Sequence, residues 1–164
     1  MKALVTAGLA LLALLQGTWL THIRLLGVMP DAVLVALTTL ALLVGGVAVV
    51  PLAAAGGLLL DLLAGTPLGL SAAALLLAVL ATGWWRGTVF YTGIGLFVVA
   101  AIVGTLAYDG ALLIGMETWH ELVDWPVALR GVVAPSAVLN GLLAIPAGYL
   151  GSWLAGRLRP VGQQ

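Results

Sequence analysis

The sequence predicts an all-α polytopic membrane protein with about six transmembrane helices. Three observations carry this. Of the 164 residues, 63% are hydrophobic and only 7% charged, and the mean hydropathy is +1.22. A soluble domain carries about 25% charged residues, so this chain cannot cover a water-facing surface. The apolar residues come in runs close to the roughly 20 residues that a spanning helix needs. Charges, prolines and glycines punctuate those runs. The formal net charge is zero, which argues against a nucleic-acid binder, since that needs a basic face. There is no cysteine, hence no disulfide or thiolate site.

Taken in order, the spans read 3–20, 31–44, 47–64, 68–85, 88–108 and 132–154. Lys2 before the first run resembles a signal peptide, but further apolar spans follow, so it reads as a retained helix. His22 and Arg24 lie in a short polar loop. Pro30 and Asp31 open the second span: proline suits a helix start, and an acid favours the positive end of the helix dipole. The stretch from Ala32 to Leu60 has no charge. It is long for one helix and short for two, so it reads as two compact helices turning at Gly45-Gly46. Gly110 to Gly131 is the longest connection, with Asp109-Gly110 as a turn pair at its start. Arg157 and Arg159 close the chain in water.

Charge supports the count. With the amino terminus cytoplasmic, six spans place Lys2, Arg86, Arg157 and Arg159 inside, as the positive-inside rule prefers. Five spans would place Arg157 and Arg159 outside. Trp84, Trp85 and Trp153 would mark the inner interface; Trp19, Trp119 and Trp125 would mark the outer one. In the outer connection, Trp119, Leu122 and Val123 have the spacing of a short amphipathic helix lying on the membrane surface.

Asp61 is the residue to explain. It stands in PLAAAGGLLLDLLAGTPLGL, and its nearest charged neighbours in sequence are Asp31 and Arg86. A charge among lipid tails costs roughly 2.5–3.5 kcal/mol on the insertion scale. Asp61 also falls near the carboxyl end of its helix, where the dipole disfavours an acid. It either snorkels to the outer interface or makes a buried polar contact. The contact would be with Arg24, Arg130, an amide of the Gly65-Thr66 turn, or a partner helix; we expect the buried contact.

The last span carries small or polar residues every four positions: Asn140, Ala144, Gly148, Ser152 and Gly156. They share one helical face. Such a face permits close backbone approach in lipid, either within the bundle or against another subunit. Catalytic readings are weak. Asp61 and Asp109 are the one pair of acids placed to share acid-base chemistry, both near the outer face. No Gly-x-Ser-x-Gly elbow, His-Glu-x-x-His motif or phosphate-binding loop occurs. His22 and His120 have no evident third ligand for a metal. The expectation is a non-enzyme with no cofactor and no metal.

Met29-Pro30-Asp31 opening the second span, followed by the run from Gly56 through Asp61 and Gly65-Thr66-Pro67-Leu68-Gly69, resembles the rod shape-determining protein MreD family. The resemblance implies a bacterial cytoplasmic-membrane protein, multi-pass, with both termini cytoplasmic. It implies a non-enzymatic subunit of the cell-elongation machinery that supports peptidoglycan synthesis. Its expected partner is an MreC-like bitopic protein, which links indirectly to MreB, RodA and a class B penicillin-binding protein. Membrane lipid is the other partner. Pro30, Asp31, Asp61, Gly65, Pro67 and Gly69 would then be structural or partner-contact positions, as would Asn140, Ala144, Gly148 and Ser152 of the small-residue face. The family fold is similar to the S-component of energy-coupling-factor vitamin transporters. A substrate-binding S-component is therefore the alternative, although few polar groups are on hand to hold a polar vitamin.

Overall fold

The computed structural model describes Gly8, Leu11, Leu12, Leu14 and Gln16, and residues 27–85, 93–118 and 122–158. Gly8, Leu11, Leu12, Leu14 and Gln16 are helical; the rest of the first predicted span lies outside the described residues. The order is α1 (Ala32–Val44), α2 (Gly46–Ala64), α3 (Leu70–Gly83), α4 (Ile94–Thr118), α5 (Trp125–Ala128), a π turn (Leu129–Val133) and α6 (Ala134–Leu158). Among the described residues the fold is all-helical, with no strand. Three helical stretches are long and apolar enough to cross a membrane: α2, α4 and the continuous stretch Trp125–Arg157. α1 and α3 are apolar but shorter, at 13 and 14 residues.

α1 is the hub. Val33, Leu34, Leu37 and Ala41 are fully buried, together with Val49 and Ala53 of α2 and Leu75, Ala78 and Val79 of α3. A helix apolar on every side belongs inside a bundle, and α1 contacts α2, α3, α4 and α6. The break between α1 and α2 falls at Gly45, whose φ of 100° is a conformation that favours glycine. Its N–H reaches the Ala41 carbonyl at 2.9 Å, closing α1.

α2 and α3 form an antiparallel hairpin drawn together by small residues. A Cβ on Gly83 would strike the Gly46 backbone, and one on Gly57 would strike the backbone of Ala72. The two contacts lie at opposite ends of the hairpin and fix its register. α4 runs back along α3, with Gly104 against Thr38 and Thr82 and Gly115 against Leu70. α6 runs antiparallel to α4, with Gly148 against Phe97 and Gly141 against Ile102. α1, α3 and α6 therefore point one way, and α2 and α4 the other.

The structure differs from the sequence expectation at the connection between the fifth and sixth predicted spans. α4 continues ten residues beyond Tyr108, through Asp109 and Gly110 to Thr118. An Asp-Gly pair makes a turn when water can satisfy the freed backbone. In an apolar surround the chain keeps its internal hydrogen bonds, and a mid-helix glycine costs only about 1 kcal/mol. The expected short amphipathic helix is not formed at Leu122–Asp124, which is irregular; Trp119 lies outside the described residues. Leu122 there is 103% exposed. The helix begins instead at Trp125, where Asp124 accepts from the Val127 N–H at 3.2 Å and Pro126 needs no partner for its nitrogen. Pro51 and Pro146 lie inside α2 and α6, both on exposed faces, rather than at breaks.

Candidate functional site

Buried polar residues gather in a layer at one end of the bundle, where α1 and α3 begin. Asp61 sits on the last turn of α2 and is 1% exposed. Its Oδ1 accepts from the Thr66 hydroxyl and the Ser71 N–H, each at 2.9 Å, and its Oδ2 accepts from the Gly69 N–H at 2.8 Å. Both oxygens of Asp61 act as acceptors, which is what an ionised carboxylate offers. Its main-chain carbonyl takes the N–H groups of Gly65 and Thr66.

This geometry answers the objection raised by the helix dipole. Gly69 is the N-cap of α3, with φ 96°, and has no side chain with which to cap. Asp61 supplies the missing acceptor from the neighbouring helix, at the positive end of the α3 dipole. The partners expected from sequence are Arg24, Arg130, an amide of the Gly65-Thr66 turn, or a partner helix. Arg24 lies outside the described residues. Arg130 is exposed in the π turn. The contact is made by the amides beyond the turn, at Gly69 and Ser71, and by the Thr66 hydroxyl. Pro67 helps shape that turn, its carbonyl accepting from Leu70 at 3.1 Å.

Asp31 anchors the other half of the layer. Its carboxylate caps α1 by accepting from the Leu34 N–H at 2.9 Å, and it also accepts from Gln16 Nε2 at 3.0 Å. Gln16 returns a bond through Oε1, which takes the Val33 N–H at 2.8 Å. The Asp31 N–H donates to Asn140 Oδ1 at 3.0 Å, and Asn140 Nδ2 donates to Thr105 Oγ1 at 3.1 Å. One chain of hydrogen bonds thus joins the helix containing Gln16 to α1, α6 and α4. Pro30, just before Asp31, is buried.

The small-residue face of α6 divides. Asn140, Ala144 and Gly148 are buried, and Gly148 packs against Phe97 of α4. Ser152 and Gly156 are exposed, and the Ser152 hydroxyl donates to the Tyr149 carbonyl of its own helix at 3.0 Å. Beyond them the Arg157 guanidinium sits 4.4 Å from the centre of the Trp153 ring.

Asp61 is bonded to the turn, whereas Asp109 lies within α4 and its buried Oδ2 has no hydrogen-bond partner among the described residues. Among the described residues no group of three His, Asp or Glu side chains is arranged to hold a metal.

Beside the layer lies a cavity of about 290 Å³. Asp31, Ser71 and Tyr108 are on its wall, with Leu63, Leu112 and Met116. Sequence reasoning singled out neither Tyr108 nor Ser71. Ser71 carries a signal in retrospect, as a helix-start residue just past a Gly-Thr-Pro turn; Tyr108 carries none. No family model, no curated protein and no solved structure matches this chain.

Proposed function

We propose that this chain is a non-enzymatic subunit of a bacterial cell-elongation complex, binding an MreC-like bitopic partner and supporting rod shape and peptidoglycan synthesis. In this reading it crosses the cytoplasmic membrane about six times, with both termini inside. The observation that carries it is how the motif residues behave. The segment from Gly56 to Gly69, the longer of the two on which the resemblance rests, forms a closed structural clamp. Gly57 admits the α3 backbone, and Asp61 is consumed by the turn. A motif whose polar capacity is spent on holding a shape suits a scaffold that positions another protein. It does not suit a catalyst, which needs its acid free to exchange a proton with substrate.

The alternative is the substrate-binding S-component of a vitamin transporter. One observation favours it, the cavity beside Asp31 and Tyr108. Purification of a tagged chain from native membranes in mild detergent, with mass spectrometry of what accompanies it, separates the two. Recovery of an MreC-like single-span protein is expected. Recovery of an energising transporter module in its place would refute the scaffold reading.

A further inference from the structure

We propose that the groove between α1, α6 and the helix containing Gln16 is a binding site for an acidic phospholipid, with one acyl chain in the groove and the phosphate on Arg157. The inference rests on the chain lying in a membrane and not on the partner proposed above. The groove measures about 410 Å³. Leu40 and Leu43 of α1, Leu12, and Ala147, Leu150 and Leu154 of α6 form most of its wall. Among the described residues, Thr39 is the one polar side chain on it. Such a lining suits hydrocarbon and lacks the converging polar groups that a polar ligand needs. Gly151 lies against Thr39 and Leu43 near the end of α1, and α6 runs on to Leu158, about 10 Å beyond. α6 therefore extends past α1 at that end, and Leu150 and Leu154 are exposed.

Length and charge select the occupant. Ala147 and Arg157 stand about 15 Å apart along α6. That is half of a hydrocarbon layer near 30 Å, the depth one acyl chain fills. Leu150, Leu154 and Arg157 recur at i, i+4 and i+7, so the stripe that lines the groove ends on a guanidinium. Arg157 is exposed, and its guanidinium lies over the Trp153 ring. The acids are at the other end of the bundle. Asp31 opens α1, Asp61 and Glu117 stand near the ends of α2 and α4, Asp109 is in the second half of α4, and Asp124 precedes α5. The sixth, Glu121, falls between Glu117 and Asp124 in the sequence, and beyond Arg157 the chain adds Arg159 and no acid. Among the described residues no carboxylate neutralises Arg157, and a phosphate beside the groove is the complementary charge.

The test uses the full chain purified in mild detergent and titrated with single lipids by native mass spectrometry. The probe is dioleoylphosphatidylglycerol, with dioleoylphosphatidylcholine as the control of equal chains. One saturable lipid is expected, bound about five-fold tighter with the glycerol headgroup than with the choline one, as one basic residue beside the phosphate confers. Arg157→Gln should equalise the two lipids, and Arg157→Lys should keep most of the preference. Ala36 is also on the groove wall; Ala36→Phe places a ring there and should weaken both lipids. Glycerol-1-phosphate carries the headgroup charge without chains and should not compete. Equal affinity of the two lipids for the wild-type chain would overturn the proposal and mark ordinary boundary lipid. A preference that survives Arg157→Gln would overturn it too, as would lipid binding unchanged by Ala36→Phe. Competition by glycerol-1-phosphate would refute the lipid and mark a free-phosphate site. If Ala36→Phe does not yield folded protein, the exposed Arg157→Gln decides alone.

Discussion

Replacing Asp61 tests the clamp directly. Asp61→Leu deletes every acceptor, although leucine is the larger side chain. The N–H groups of Gly69 and Ser71 then lose the partner that now stands 2.8 and 2.9 Å away. A buried donor left without a partner costs about 1–3 kcal/mol, so the pair sums to roughly 2–6 kcal/mol. The Thr66 hydroxyl can rotate towards another acceptor and adds little. Relief from burying a charge works in the opposite direction. Measured side-chain hydrogen bonds within membranes average nearer 0.6 kcal/mol, which favours the lower half of the range. We therefore expect Asp61→Leu to cost about 2–3 kcal/mol, a large fraction of a typical folding free energy of 5–15 kcal/mol. Asp61→Asn retains one acceptor oxygen but turns an NH2 group towards a backbone N–H; about 1–2 kcal/mol is expected. The assay is thermal unfolding of the purified chain in one detergent, with abundance in membranes as a second readout. The order should be wild type, then Asn, then Leu. Wild-type stability in Asp61→Leu would refute the claim that this carboxylate holds the α2–α3 turn.

Two further substitutions test the helix packing and the path of α4. Gly57→Ala should destabilise by about 1–3 kcal/mol because its Cβ would meet the Ala72 backbone, which cannot step aside as a side chain can. Gly56→Ala should be tolerated, since its Cβ would lie 3.7 Å from a Val33 methyl group, an ordinary contact. Thermal unfolding compares the two, and equal effects would contradict the close approach at Gly57. Gly110→Ala should raise stability by roughly 0.5–1 kcal/mol, because Gly110 is within α4 and nothing lies within 4 Å of the added methyl group. A loss of stability there would favour a turn at Asp109-Gly110.

Asp61 was conspicuous in the sequence because a lone charge in apolar sequence demands an explanation. Its partners were not, because two of them are backbone N–H groups, and no side-chain pattern announces which amides a turn will aim at a neighbour. The Gly45 break was visible because two glycines interrupt a run too long for one helix. The α4 extension was hidden for the opposite reason: Asp-Gly signals a turn in water, and the sequence alone does not show that the surround is apolar. Asn140 stood out on its face of α6, yet its bonds to Asp31 and Thr105 span 109 and 35 residues. Contacts at that separation depend on the packing of four helices and leave no local trace.

The positions of the two acids at this end share one cause. At about 1.5 Å per residue, α1 and α3 are about 20 Å long, short of a hydrocarbon layer near 30 Å. Helices that stop inside such a layer expose their first N–H groups where water is scarce, and each unsatisfied group is costly. α1 and α3 run parallel, so both amino ends fall at the same end of the bundle. Each receives a carboxylate: Asp31 at the cap of α1, and Asp61 reaching across from α2 to α3, whose own cap is glycine. Two acids in so apolar a chain are thus the natural answer to two short parallel helices. Because the two amino ends lie at one end of the bundle, so do the two acids. That convergence brings Asp31, Asp61 and Asp109 within electrostatic reach of Tyr108.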